Sequence, residues 1–144
     1  MVDTFKFALK EIRLVSIRFD LKLNKEYKSD KNISVSSTLG LKHNFIKSKK
    51  LLKVFLKVDI CGETLPFSLN VEIGGLFDFS GMPKSNQSFD KIARINCAAI
   101  LFPYLREIVT DITRRASLPP LYLPPVNFVE LYTAKSSEKT KKIK

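Results

Sequence analysis

From Cys97 to Leu105 the chain carries no charged side chain, and the Tyr104 hydroxyl is its only polar side-chain group beyond a thiol. Arg106, Glu107, Thr110, Asp111, Arg114 and Arg115 then follow in the register of an ordinary amphipathic helix. A helix that is apolar all round has to be covered on every side. One sheet covers one side, so the pattern implies a second cover, most simply another copy of the chain. The spacing predicts a helix starting near Asn96, a good N-cap, and ending near Ala116, because Pro119 and Pro120 cannot continue it. Pro103 falls inside this span and implies a kink or a reset there.

The first half of the chain alternates instead. Phe5, Phe7 and Leu9 share a phase, which slips at Ile12 and Leu14 and resumes at Val15, Ile17, Phe19, Leu21 and Leu23. Such a slip implies a bulge or a break in the strand. After a polar loop from Lys25 to Asn32 come three more alternating sets. They are Ile33, Val35, Ser37, Leu39 and Leu41; Leu52, Val54, Leu56, Val58 and Ile60; and Leu65, Phe67, Leu69, Val71 and Ile73. The last runs into Gly74-Gly75, read as a twist at the strand end, and the turn signal Cys61-Gly62 makes the last two sets a hairpin. Gly81, Pro83, Ser85 and Asn86 mark the connection to the helical half. Asn127, with Glu130 three residues on, opens a second, shorter helix that runs into a Lys-rich tail over 135–144. One-sided alternation predicts an antiparallel sheet, and four strands followed by helices predict a single α+β domain over 1–134.

At 144 residues a single core buries roughly 68–70% of the unfolded surface, and a hydrophobic fraction of 44% argues against disorder. No apolar run approaches the roughly 18 residues of a membrane span. The first ten residues alternate and carry charge where a secretory signal would be unbroken and apolar, so the expectation is a cytoplasmic protein. Cys61 and Cys97 are too few for a zinc site and are expected to be small buried hydrophobes in a reducing compartment. Net charge is +11; the tail contributes +4 and leaves +7 on the body, which favours acidic partners.

Catalytic constellations are absent, and neither an enzyme nor a cofactor is expected. The single histidine, His43, reads as a surface residue in a Lys-rich loop, and Cys97 sits in an apolar helix start where a thiolate is costly. Gly74-Gly75 lacks the spacing of a phosphate loop. A binding surface is better signalled. Leu118, Leu121, Tyr122, Leu123, Val126, Phe128 and Leu131 are separated by four prolines that hold the backbone extended, as one wall of a groove. Phe19, Leu21, Leu23 and Tyr27 are candidates for the opposite wall. A basic nucleic-acid-binding protein is the alternative of another class. The exposed positions expected on the fourth strand, Pro66, Ser68, Asn70 and Glu72, make a poor platform for stacking bases.

Three segments carry a family resemblance: Val71-Glu72-Ile73-Gly74-Gly75-Leu76-Phe77, Ile100-Leu101-Phe102-Pro103-Tyr104-Leu105-Arg106-Glu107, and Leu121-Tyr122-Leu123-Pro124-Pro125-Val126-Asn127-Phe128. Together they resemble the SecB export-chaperone family, over about Phe5 to Tyr132. The resemblance implies a four-stranded antiparallel sheet with one long and one short C-terminal helix, assembled as a dimer of dimers with the long helix inside. It also implies an ATP-independent holdase that keeps unfolded polypeptides in apolar grooves and passes them to the SecA ATPase. Leu69, Val71 and Ile73 on the fourth strand, with Ile100, Leu101, Tyr104 and Leu105 on the helix, are then expected at the subunit interface. Export members are usually acidic and present acids on the exposed sheet face to the zinc-bearing tail of the ATPase. The matching positions here are Ser16, Asp20 and Asn70, so only Asp20 keeps a charge for that docking. Some relatives serve a single client, the antitoxin of a toxin–antitoxin system, and that role is the alternative within the family.

Overall fold

The computed structural model describes residues 7–23, 35–79 and 86–134. Four strands, β1 (Phe7–Leu21), β2 (Ser36–Ile46), β3 (Leu51–Cys61) and β4 (Phe67–Phe79), form one antiparallel sheet in the order β1-β4-β3-β2. Both β2–β3 and β3–β4 are hairpins, and β1 lies beside β4, which gives a Greek-key order. Alternation fixes which face is buried. Leu52, Val54, Leu56, Val58 and Ile60 stand opposite Phe77, Gly75, Ile73, Val71 and Leu69, and the apolar members of these pairs are essentially inaccessible. Lys50 closes the β2–β3 turn in the left-handed region after the short turn Lys47–Lys49.

The slip foreseen in the first strand is two bulges. The β1–β4 register shifts between Leu9 and Glu11 and again between Leu14 and Ser16, leaving Lys10 and Val15 without partners. Because each extra residue flips the phase, Phe7, Leu9, Ile12, Leu14, Ile17, Phe19 and Leu21 all fall on the helix side. Val15 does not resume that phase; its side chain lies on the far side of the sheet, near Gly74.

The two glycines do not end a strand, since β4 continues to Phe79. Each hollows one face for a neighbour. A Cβ at Gly75 would stand 2.7 Å from the Leu101 side chain of the helix above, so no side chain fits there. A Cβ at Gly74, on the outer face, would stand 3.1 Å from the Phe55 ring and 3.2 Å from Val15.

Helical structure starts at Asn86, ten residues before the main helix expected near Asn96. Helix α1 (Asn86–Lys91) passes without interruption into a π-helical segment (Ile92–Cys97) and then α2 (Ala98–Arg115). Asn96 caps nothing: the residues around it are helical, and the Ala98 amide donates to the carbonyl of Ala93, five residues back. The wide turn resets the buried stripe, so that Ile92, Ala93, Cys97, Ala98, Leu101, Leu105 and Val109 all meet the core. Pro103 stays within α2 on its exposed side. The carbonyl it leaves unbonded, that of Ala99, belongs to an exposed residue that water can serve.

After α2 the chain reverses. Ser117 is left-handed, its amide donates to Arg114, and the Leu118 amide donates to Thr113, the two bonds of a Schellman motif. The Pro-rich segment then runs back along α2. Its Leu123 and Phe128 are buried, and Phe128 meets Phe102 edge-on at 5.7 Å. Asn127 caps helix α3 (residues 128–134), its Oδ1 accepting from the amides of Val129 and Glu130 at 3.1 and 3.2 Å. Part of the second cover that the apolar helix demands is therefore its own returning chain.

Candidate functional site

Two apolar depressions open where the returning segment meets the rest of the chain. One lies between the π segment with the start of α2, contributing Ile95 and Ala99, and the stretch from Pro125 to Val129. The other lies between α3 and the edge strand β2, lined by Leu39, Leu41, Leu56, Leu131 and Tyr132 with Arg94 at its margin. Phe128 belongs to both, as the partition between them. The prolines explain why these walls stand open: Pro119, Pro120, Pro124 and Pro125 keep the backbone extended and exposed, and fold none of it into a ladder.

Of the expected wall, Val126, Phe128 and Leu131 line these depressions. Leu118 and Leu121 are half-buried against the core, Leu123 is within it, and Tyr122 projects into solvent at 67% exposure. Phe19, Leu21 and Leu23 line neither depression. They lie on or just beyond β1, the edge opposite to β2, where Phe19 stacks on Phe67 at 5.6 Å while Leu21 and Leu23 are exposed. Tyr27 lies outside the described residues, as do the polar loop and the tail. Ile95, Ala99 and Val129 escape a reading of the sequence; the i, i+4 spacing of Ile95 and Ala99 is the signal that could have found them.

The expected interface divides in two. Leu69, Val71, Ile73, Leu101 and Leu105 are at most 2% exposed in a single chain, so they form its own core and offer no surface to a partner. That corrects the expectation, and the reason is the register: these strand residues face the helix of their own chain. Ile100 and Tyr104 do remain uncovered, at 37% and 45%. So do Leu14 and Ile17, which face the helix side of β1 but lie beyond the reach of α2, at 53% and 38%. Bare apolar side chains therefore remain both on β1 and on α2.

On the outer face, charges are matched within the chain. Asp20 is bonded to Arg18 at 3.1 Å, Glu72 lies 3.7 Å from Lys42, Asp59 lies 3.9 Å from Lys57, and Glu11 is bonded to Arg13 at 2.6 Å. Asn70 donates to Asp59, and Ser16 stands opposite Glu72. Pro66 is buried and precedes the strand, so it is not part of this face. Exposed surface salt bridges contribute little stability, but they do cancel the field a charged partner would meet.

His43 is not a loop residue. It lies in β2 on the helix side, half-buried, and its Nε2 bonds Asp90 of α1 at 2.9 Å. Arg94 donates to the same carboxylate oxygen at 2.7 Å. Burial pulls the Asp90 carboxyl up, but these two bonds and charges outweigh it and hold the group below its ordinary value. Of the two free cysteines, Cys97 is buried, which pushes its thiol up to about 12, whereas Cys61 is exposed at the end of β3, contrary to expectation. Cys61 falls on the outer phase, one residue past Ile60. Among the described residues no group of three or more His, Cys, Asp or Glu side chains converges, and no helix is long and apolar enough to cross a membrane.

A four-stranded Greek-key sheet, one long helix on one face and a Pro-rich return that leaves apolar depressions open define a SecB-like fold. The SecB-like chaperone of Mycobacterium tuberculosis, solved with a peptide from an antitoxin, superposes with a TM-score of 0.71 at 20% identity, over 84% of this chain and 91% of that one. Residues 9–139 match the family described as preprotein translocase subunit SecB, and the chain belongs to the SecB family. The protein-export protein SecB of Methylobacillus flagellatus is 39% identical over 52% of this chain and 46% of its own length. That of Mesorhizobium japonicum is 29% identical over 85% of this chain and 62% of its own length. An uncharacterized protein of Methanocaldococcus jannaschii is 30% identical over 88% of this chain and 75% of its own length. The chain spans about half the length of several export-protein relatives that it matches.

Proposed function

We propose that this protein is an ATP-independent holdase that binds unfolded polypeptides along the two depressions flanking Phe128. The observation that carries the reading is the open groove between Ile95 and Ala99 on one side and Pro125, Val126 and Val129 on the other, with Phe128 between it and the second depression. An unfolded chain presents scattered apolar side chains and unpaired backbone, and this groove offers apolar contact on a stiff wall that loses little entropy on binding. It works as a binding protein without chemistry of its own, assembled through the uncovered Leu14, Ile17, Ile100 and Tyr104 into a dimer of dimers. Two free thiols support a reducing, cytoplasmic setting. Replacing Val126 and Val129 with Ser should abolish suppression of aggregation of a chemically unfolded protein, followed by light scattering, with the assembly intact. Full protection by that variant would overturn the reading.

Two roles within the family are separated by the outer face. Docking to the SecA tail rests on Asp20, which Arg18 neutralises, and on positions where Ser16 and Asn70 carry no charge. Protein export by the Sec pathway is the leading role, and a dedicated client such as an antitoxin is the alternative that a charge-poor face would suit. Calorimetry with the zinc-bearing tail peptide separates the two: a tight complex lost on Asp20→Ala would decide for the export role.

A further inference from the structure

The outer face of the sheet is hollowed at one place. Gly74 leaves a gap into which the Phe55 ring leans from β3, and Val15, expelled from the ladder by the second bulge of β1, closes the other side. The result is an open depression of about 330 Å³ with Phe55, Gly74 and Val15 as its apolar floor.

Its rim is basic. Arg13 and Lys53 line it, and the Lys42 ammonium lies 5.3 Å over the Phe55 ring. The turn that leads into β3 adds Lys47, Lys49 and Lys50, all exposed, at the same end of the strand as Lys53. The opposing acids are Glu11, held by Arg13, Glu72, which lies 3.7 Å from Lys42, and Asp78 opposite Leu51. Lys53 makes no ion pair among the described residues. A small apolar socket whose rim keeps an excess of positive charge, in Lys53 and the lysine turn, is complementary to an apolar side chain flanked by carboxylates. Among the described residues Phe55 is the one aromatic ring lining the socket, whereas single-stranded nucleic acid is held by successive bases stacked on several, which disfavours nucleic acid here.

We propose that this socket docks an acidic polypeptide segment, one apolar or aromatic side chain seated over Gly74 against Phe55 and its neighbouring carboxylates on Arg13, Lys53 and the lysine turn. The site is on the opposite side of the sheet from the client depressions, so both can be occupied together, and it stands whether or not those depressions hold clients.

A labelled acidic peptide of about ten residues with one central Phe is the probe, read by fluorescence anisotropy against the full chain. Binding should be strong at low salt and fall by about tenfold or more when Lys53→Glu reverses the rim. The same peptide with Ser in place of Phe should bind at least several-fold more weakly, and the Val126/Val129 double Ser variant should bind the Phe peptide as wild type does. Both Lys53 and Arg13 lie at the surface, so an unchanged unfolding midpoint for Lys53→Glu and Arg13→Glu verifies that only charge was altered. The proposal is overturned by no binding at low salt, no effect of Lys53→Glu, equal affinity for the Ser and Phe peptides, or loss of binding in the groove variant. A single-stranded oligonucleotide that binds more tightly than the peptide with the same Lys53 dependence overturns it in favour of nucleic acid.

Discussion

The buried hydroxyl of Thr113 accepts a hydrogen bond from the Leu121 amide at 3.0 Å. Thr110 completes the clamp by donating to the Leu121 carbonyl at 3.0 Å, so both backbone groups of one residue in the proline segment are tied to the last turns of α2. Thr113 also directs its own hydroxyl toward the carbonyls of Val109 and Thr110, a habit of helical threonine that here orients the oxygen for its partner. The return path of the chain, and with it the position of Val126 and Phe128, starts from this clamp.

Thr113→Val preserves shape and removes the acceptor, leaving the Leu121 amide unsatisfied. The expected loss is about 1–3 kcal/mol in urea unfolding. Thr113→Ser should lose less than Thr113→Val, because the hydroxyl is retained. Equal stability of wild type and the Val variant would show that the clamp is replaced by water.

Ile17 is 38% exposed beside Leu14 on the uncovered strip of β1. Ile17→Asp should leave the fold of the single chain intact, judged by circular dichroism, and lower the mass found by sedimentation to a smaller assembly. An unchanged mass would move the subunit contact elsewhere.

Thiol chemistry should divide the two cysteines. Cys61 is exposed, whereas burial holds Cys97 up to about 12. At pH 8 a thiol reagent should modify one group per native chain and two in denaturant. Cys61→Ser should abolish the native reaction.

The Asp90 carboxylate, bonded to His43 and Arg94, is held below its ordinary value of 3.8. A carboxylate depressed in the folded state contributes stability that is present above pH 3.8 and lost as pH falls through the folded value. The stability gap between wild type and Asp90→Asn should therefore be full just above that pH and shrink as acid is added. A gap that widened in acid would contradict the assignment.

The alternating sets of β3 and β4 were legible because period-two burial repeats residue after residue, and even the slip in β1 announced its bulges. Gly74-Gly75 was misread as an end, since a glycine shows what is missing and not the neighbour that requires it. For Gly75 that neighbour is Leu101, on a helix distant in sequence. Asn96 looked like a cap because local composition carries no sign of a π turn, which arises from how the helix must rotate to keep both Cys97 and Ala98 in the core. The apolar run from Cys97 called for two covers. It could not say that Leu123 and Phe128 of the same chain supply part of one, and so it assigned core residues such as Leu101 and Leu105 to a partner. His43 was misplaced for a related reason: its partner Asp90 stands far along the chain.

Because a Cβ at Gly75 would come within 2.7 Å of Leu101, positions 75 and 101 are a single volume shared between two residues. Gly75→Ala in the wild type forces the Leu101 side chain to shift, whereas the same change beside Leu101→Ala has room to settle, so the two substitutions together should cost less than their separate effects added. Across a lineage such a pair should drift in step. The distance between helix and sheet is then inherited as the sum of two side chains, and neither position alone records it.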